Sequence, residues 1–152
     1  MRDYLGWAGI VRLGLVQSAL GAIVMLATSL LNRVMVVEYA LAAVIPGALV
    51  AWHYVVQLSR PRFGHGSDRG TRRTPWIILG MGLLAMGALL AVDATLLSDR
   101  RPVLAILMAT IGYAMIGAGV GAAGTSLLAL LATRTAPERR SAAAAIAWIM
   151  MV

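Results

Sequence analysis

The segment "PWIILGMGLLAMGALLAVDATLL", residues 75–97, decides the fold class because Asp93 is the one charged residue along it. A helix rises about 1.5 Å per residue, so about 20 residues cross the roughly 30 Å hydrocarbon layer of a bilayer. Backbone amides have no water partners in lipid, and a helix satisfies them internally. Because the alternation of a membrane β-strand is absent, the segment predicts a membrane-spanning helix.

Three further apolar runs have a similar length, at residues 13–31, 39–58 and 103–132, and a shorter run occupies 142–152. Short connections predict antiparallel neighbours, so we expect an all-α membrane protein with a single transmembrane domain over residues 1–152. The last run is too short to cross a bilayer alone. Either the chain is the front part of a longer protein, or other helices complete this crossing.

The composition agrees with a bilayer environment. Hydrophobic residues make up 61% of the chain and charged residues 12%, and the mean hydropathy is +0.85. A water-soluble surface cannot be built from this composition. Cysteine is absent, and the sequence has no nucleophile–base pairing, phosphate loop or cluster of metal ligands. We therefore expect a protein that is not an enzyme and that has no metal site built from a cluster of its own side chains.

The 13 basic residues are all arginine, and their distribution predicts the orientation. All but Arg33, Arg100 and Arg101 lie in the N-terminal segment, between the second and third runs, or between the fourth and fifth runs. Cytoplasmic segments carry the excess of basic residues. The N-terminus is therefore predicted to be cytoplasmic. No aromatic stacking platform accompanies the arginines, so we do not expect a nucleic-acid partner.

The segment "RFGHGSDRGTRR", residues 62–73, combines turn-forming glycines with one carboxylate among arginines. The sequence predicts a tight exposed turn in which Asp68 meets a helix end or an arginine. The spacing resembles the signature loop of the major facilitator superfamily, with Thr71 where that signature has its second glycine. The matching residues are Gly64, Asp68, Arg69, Arg72 and Arg73. The alternative is a solvated basic loop that only sets topology.

Several separated segments resemble the PucC-like branch of that superfamily. They are "GIVRLGLVQSALGAIV", "LNRVMVVE", "PGALVAWHYVVQ", "GSDRGTRRTPWI" and "GTSLLALLATR". The resemblance implies part of the N-terminal half of a major facilitator fold. It also implies bacteriochlorophyll delivery and assembly of light-harvesting complexes in the bacterial inner (intracytoplasmic) membrane. The implied partners are light-harvesting α/β polypeptides, the reaction centre and membrane lipid.

His53 is the one histidine within an apolar run, and Trp52, Tyr54 and Gln57 lie near it in sequence. An imidazole can bind the magnesium of a chlorin, and aromatic rings can pack on the macrocycle. This group is therefore a candidate bacteriochlorophyll site. The alternative is that His53 makes a hydrogen bond between helices.

Gly117, Gly121 and Thr125 recur at four-residue spacing and place small side chains on one helix face. Such a face allows close helix packing, which is the favoured interpretation. The alternative is a surface for a partner helix or a pigment ring. Two other functions stay open: secondary transport of a small solute, and a structural role in a mature photosynthetic complex.

Overall fold

The computed structural model of the chain describes residues 4–69 and 72–151. The described residues are almost entirely helical and contain no β-strand, which confirms the predicted all-α class. The elements are α1 (Trp7–Met25), a π-helical segment (Leu26–Leu31), α2 (Asn32–Val37), α3 (Val44–Gln57), α4 (Arg60–Arg69), α5 (Thr74–Leu96), α6 (Pro102–Arg134), a 3₁₀ turn (Pro137–Arg139) and α7 (Arg140–Met151).

Three helices are long and apolar enough to cross a membrane: Trp7–Val37, Thr74–Leu96 and Pro102–Arg134. The first of these joins α1, the π-helical segment and α2 without a break. The helix within the predicted run 39–58 is shorter, because α3 has 14 residues and begins at Val44. The chain turns before α3, where Ala40 has a φ of 48°.

The glycine-containing segment before α5 is helical, whereas the sequence predicted an exposed turn there. Gly64 and Gly66 lie within α4. A Cβ atom added at Gly66 would lie 2.8 Å from the Trp76 ring, and one at Gly64 would lie 3.4 Å from Thr125. These glycines therefore let α4 pack closely against neighbouring helices, which favours helix over turn. Residues 70 and 71 of the signature lie outside the described residues.

Helices α5 and α6 form an antiparallel hairpin in which their backbones touch. A Cβ atom added at Gly87 would lie 2.7 Å from the carbonyl oxygen of Gly112. One added at Gly119 would lie 2.6 Å from the carbonyl oxygen of Gly80. Small residues at such positions let van der Waals contacts form between helices in lipid. The hairpin is therefore the most closely packed part of the chain.

The first long helix is joined to α6 by a buried hydrogen bond. The Tyr113 hydroxyl donates to the carbonyl oxygen of Ala27 over 2.7 Å, and both residues are fully buried. Ala27 lies in the π-helical segment. A π-helical turn departs from the regular i→i−4 ladder, so its carbonyl groups need other donors. Tyr113 supplies one of them.

Helix α7 packs on the small-residue face of α1. The Ser18 hydroxyl donates to the carbonyl oxygen of Met150. Gly14 and Gly21 face Met150 and Met151, respectively. Gly14 and Gly21 of α1 meet Met150 and Met151 of α7 in the same order along each helix, so the two helices run parallel. They leave room between them and α3 for the site described below.

The arginine-bearing segments meet at one end of the helices. The Leu5 amide donates to the Arg134 carbonyl oxygen over 2.8 Å. The Arg73 guanidinium donates to the Thr133 hydroxyl over 3.2 Å, and Arg139 lies over the Trp7 ring at 5.4 Å. The N-terminal segment and both basic connections therefore share one side of the fold.

Candidate functional site

A cavity of about 350 Å³ lies between α1, α3, α6 and α7, with one residue of α4 at its edge. Most of its wall is apolar. The residues that form this apolar wall include Leu20, Val24, Val120, Leu128 and Trp148. Ligand sites are typically concave and apolar with a few placed polar groups. This cavity has that character, so it is the candidate site.

The polar groups in the wall come from four different helices. They are Gln17, Tyr54, Gln57, Arg60 and Thr125. Gln17 is 4% exposed, and its amide nitrogen lies 3.0 Å from the sulfur of Met151. Its carbonyl oxygen Oε1 is buried and has no hydrogen-bond partner among the described residues. A buried acceptor without a partner carries a free-energy cost that a bound donor or cation would remove.

A chain of hydrogen bonds connects the cavity to the helix interface behind it. The Arg60 guanidinium donates to the Gln57 side-chain oxygen, and the Gln57 amide nitrogen lies 2.6 Å from Nε2 of His53. Because the Gln57 nitrogen is a donor, His53 Nε2 accepts this bond and Nδ1 carries the proton. These two hydrogen bonds therefore link the side chain of His53 to that of Gln57, and the side chain of Gln57 to that of Arg60.

The predicted pigment group is divided among three environments. Tyr54 and Gln57 line the cavity, whereas the Trp52 indole donates to the Thr110 carbonyl oxygen over 3.2 Å, outside the cavity. His53 is fully buried, and its Nε2 is bound by Gln57. Its other nitrogen, Nδ1, is also buried, so neither ring nitrogen is accessible to the magnesium of a macrocycle. The four residues therefore do not form one pigment-binding surface.

The face formed by Gly117, Gly121 and Thr125 is internal. A Cβ atom added at Gly117 would lie 2.5 Å from the His53 carbonyl oxygen, and one added at Gly121 would lie 3.0 Å from the Phe63 ring. Helices α3 and α4 thus cover this face. The packing interpretation is correct, and the face is not free to receive a partner helix. Thr125 also borders the cavity.

The charged signature residues lie at the arginine-bearing end. The Arg73 guanidinium donates to Oδ1 of Asp68 over 2.7 Å, so the expected pairing of Asp68 with an arginine is confirmed. This bond joins the end of α4 to the residue before α5. Arg69 and Arg72 are exposed at the same end. All four side chains lie apart from the cavity wall.

Sequence reasoning did not find the convergence of Gln17, Arg60 and Trp148. The three residues lie on different helices, and no spacing rule connects residues on α1, α4 and α7. A glutamine in the middle of an apolar run was the one usable signal, because polar groups at membrane depth are costly and often functional.

Comparison with known proteins identifies the family. Residues 30–152 match the family described as "PUCC protein". The bacteriochlorophyll synthase 44.5 kDa chain of Rhodobacter capsulatus is 56% identical over 148 residues, which are 97% of this chain and 35% of that protein. Protein PucC of Cereibacter sphaeroides is 33% identical over 148 residues, which are 90% of this chain and 32% of that protein.

A third relative is an uncharacterized protein in the puhA–bchM intergenic region of Rhodobacter capsulatus. It is 30% identical over 154 residues, which are 94% of this chain and 32% of that protein. The chain thus spans about a third of the length of these curated relatives. No solved structure matches the chain. The family match covers most of the sequence, and the chain therefore belongs to the PUCC protein family.

Proposed function

We propose that the chain belongs to an integral membrane assembly factor that delivers bacteriochlorophyll to light-harvesting α/β polypeptides and the reaction centre. The observation that carries this proposal is the apolar cavity, whose wall includes the aromatic side chains of Tyr54 and Trp148. The name of the Rhodobacter capsulatus relative supports a pigment as the cargo. The protein would bind and hand over the pigment without catalysing a reaction.

The cavity fits part of a bacteriochlorophyll molecule. Its volume of about 350 Å³ lies at the lower end of the range for sites that hold drug-sized ligands. Bacteriochlorophyll combines a broad macrocycle with a long hydrocarbon tail, so the cavity would enclose one portion and leave the rest in lipid. Partial enclosure suits delivery, because a cargo that keeps contact with lipid can leave again.

The residues of the cavity offer one candidate for coordination in place of His53. Mg²⁺ prefers oxygen ligands, and Oε1 of Gln17 is a buried oxygen without a partner among the described residues. Gln17 would therefore face the magnesium or accept a hydrogen bond from the pigment. Tyr54 and Trp148 would pack on the ring system.

The arginine-bearing end is proposed to face the cytoplasm, because basic residues concentrate on that side of a bilayer. The location that we propose is the inner (intracytoplasmic) membrane of a phototrophic bacterium. None of the described residues that line the cavity is a carboxylate. The proposal therefore favours delivery over the proton-coupled transport of a small solute.

The test is the absorption spectrum of the chain purified in mild detergent from a host that makes bacteriochlorophyll. We expect the near-infrared bands of the pigment with the wild type. Leu128→Trp, which fills the cavity, should remove most of this absorbance. Leu107→Trp is the matched control, because Leu107 lies on the same helix and is 58% exposed outside the cavity. A pigment-free wild type, or equal pigment in both variants, would contradict the proposal.

A further inference from the structure

Arg60 borders the cavity without a carboxylate to balance its charge. The one ion pair among residues 4–69 and 72–151 joins Asp68 to Arg73, so Arg60 is not within ion-pair distance of a described carboxylate. Its guanidinium carries five N–H donors, and it makes a side-chain hydrogen bond to Gln57 alone within the described residues. The remaining donors are free to bind an anionic group at the cavity edge.

The guanidinium is also linked by a hydrogen bond to Gln57, one turn earlier in the chain. Gln57 accepts from Arg60 and is itself fixed by His53, which is fully buried between α3 and α6. A cation that is positioned before a ligand arrives loses less conformational entropy on binding. The bonds of His53 and Gln57 therefore make Arg60 a prepared site for an acid.

The remaining wall limits which acids fit. The surfaces beyond Arg60 are formed mostly by apolar side chains, including the Trp148 ring, and Oε1 of Gln17 is the one buried acceptor in the described wall that lacks a partner. A small inorganic anion would leave this apolar surface unfilled. A wholly apolar molecule would leave Arg60 without a counter-charge. The wall therefore fits a molecule with an apolar body and one acidic group.

We propose that the cavity binds an amphipathic carboxylate, with Arg60 pairing with the acid and the apolar wall enclosing the chain or ring. The inference rests on the proposed function in taking this cavity as the ligand site. Gln57 and His53 are positioning residues that act through Arg60. Arginine pairs with a carboxylate through two parallel N–H···O bonds.

A single arginine favours a carboxylate over a phosphate monoester. A phosphate monoester carries about −1.5 to −2 charge at neutral pH, which one guanidinium does not balance. A carboxylate carries one charge and matches the planar fork of Arg60. Anionic phospholipid at this site is therefore the competing outcome of the test.

The test measures quenching of Trp148 fluorescence by brominated lipids in the full chain, reconstituted at alkaline pH where fatty acids are ionised. The probes are a brominated fatty acid, its methyl ester and a phosphatidic acid with the same brominated chain. Quenching that disappears in Trp148→Phe comes from lipid near Trp148, which borders the cavity and is 53% exposed, so the ratio of acid to ester binding is the readout for the site at Arg60. Arg62→Gln is the matched control for Arg60→Gln, because Arg62 is another exposed arginine of α4 that does not line the cavity.

We expect the wild type to bind the acid about tenfold more tightly than the ester, in line with a hydrogen-bonded charge pair. Arg60→Gln should abolish this preference, and Arg62→Gln should keep it. Gln57→Leu should lower the acid preference, measured as the ratio of acid to ester binding, because Arg60 loses the partner that positions it. Equal binding of acid and ester, an unchanged preference in Arg60→Gln, or tighter binding of phosphatidic acid would overturn the proposal.

The outcome is separable from that of the pigment experiment. Acid preference at Arg60 together with a pigment-free absorption spectrum would remove the delivery proposal and leave the acid site. Pigment in the spectrum without acid preference would remove the acid site and leave the delivery proposal.

Discussion

Helix α6 packs in two different ways on its two faces. Towards α5, added Cβ atoms at Gly112 and Gly119 would lie 2.9 and 2.6 Å from backbone carbonyl oxygens of the partner helix. Towards α1 and α4, an added Cβ atom at Gly121 meets the Phe63 ring, and one at Gly124 has its nearest neighbour, Leu20, at 3.7 Å. The α5 face is fixed by backbone contacts along its length, whereas the other face has one backbone contact, between Gly117 and the His53 carbonyl oxygen, and otherwise side chains around a cavity.

The difference shows how one helix can serve stability and binding together. Apolar burial gives no drive for association within lipid, so close packing of backbones supplies much of the cohesion. The α5–α6 hairpin has this packing. The cavity side is held instead by side-chain hydrogen bonds and by rings such as Phe63, which can shift. A site that receives and releases a bulky ligand needs this second kind of contact.

The largest loss in the free energy of unfolding is expected where the backbones of α5 and α6 touch. Gly87→Leu would place a side chain against the Gly112 carbonyl oxygen, 2.7 Å from the new Cβ atom. Backbone cannot move aside without separating α5 from α6, so we expect a loss of more than about 3 kcal/mol in the free energy of unfolding. Unfolding in mixed detergent micelles, followed by circular dichroism, measures this change.

Gly82→Leu is the matched control on the same helix. An added Cβ atom at Gly82 has no neighbouring atom within 4 Å, so its side chain would extend into lipid. We expect a change below about 0.5 kcal/mol. Similar losses in the two variants would mean that α5 and α6 are not in backbone contact.

Gly121→Leu tests the cavity side of α6, and we expect a loss of stability between those of the two variants above. The new Cβ atom would lie 3.0 Å from the Phe63 ring, and a side chain can move where a backbone cannot. We expect a loss of about 1–2 kcal/mol in the same unfolding measurement. A loss as large as that of Gly87→Leu would show that the two faces of α6 are equally rigid.

The apolar runs predicted most of the fold because lipid leaves the backbone few choices. Residues 75–97 and 103–132 lack water partners, so helix formation follows from sequence alone. The segment before α5 was harder. Glycines and arginines in sequence are typical of a turn, whereas in the structure α4 is helical and packs Gly64 and Gly66 against Thr125 and Trp76, contacts that the local sequence does not reveal.

The cavity could not be predicted, because it depends on how helices are placed relative to one another. The sequence made His53 a candidate either for pigment ligation or for a hydrogen bond between helices, since an imidazole suits both roles. The rotation of α3 directs His53 into the interface with α6 and exposes Tyr54 and Gln57 to the cavity. Consecutive residues of an α-helix differ in direction by about 100°, so such a rotation decides whether His53 faces the cavity or the interface with α6.

The smallest effect on stability is expected at the ion pair that joins the end of α4 to the start of the α5–α6 hairpin. Asp68 lies at the end of α4 and Arg73 directly precedes α5, and the Asp68 side chain is 60% exposed. Exposed pairs lose most of their attraction to solvent screening, so a double-mutant cycle with Asp68→Asn and Arg73→Gln should give a coupling below about 1 kcal/mol. The coupling should decrease further in about 1 M salt, where the Debye length is about 3 Å. Because Arg73 also donates to Thr133 over 3.2 Å, Arg73→Gln should cost more alone than Asp68→Asn. A coupling above about 2 kcal/mol that persists in high salt would show instead that this pair fixes the position of α4, and with it Arg60, relative to the hairpin.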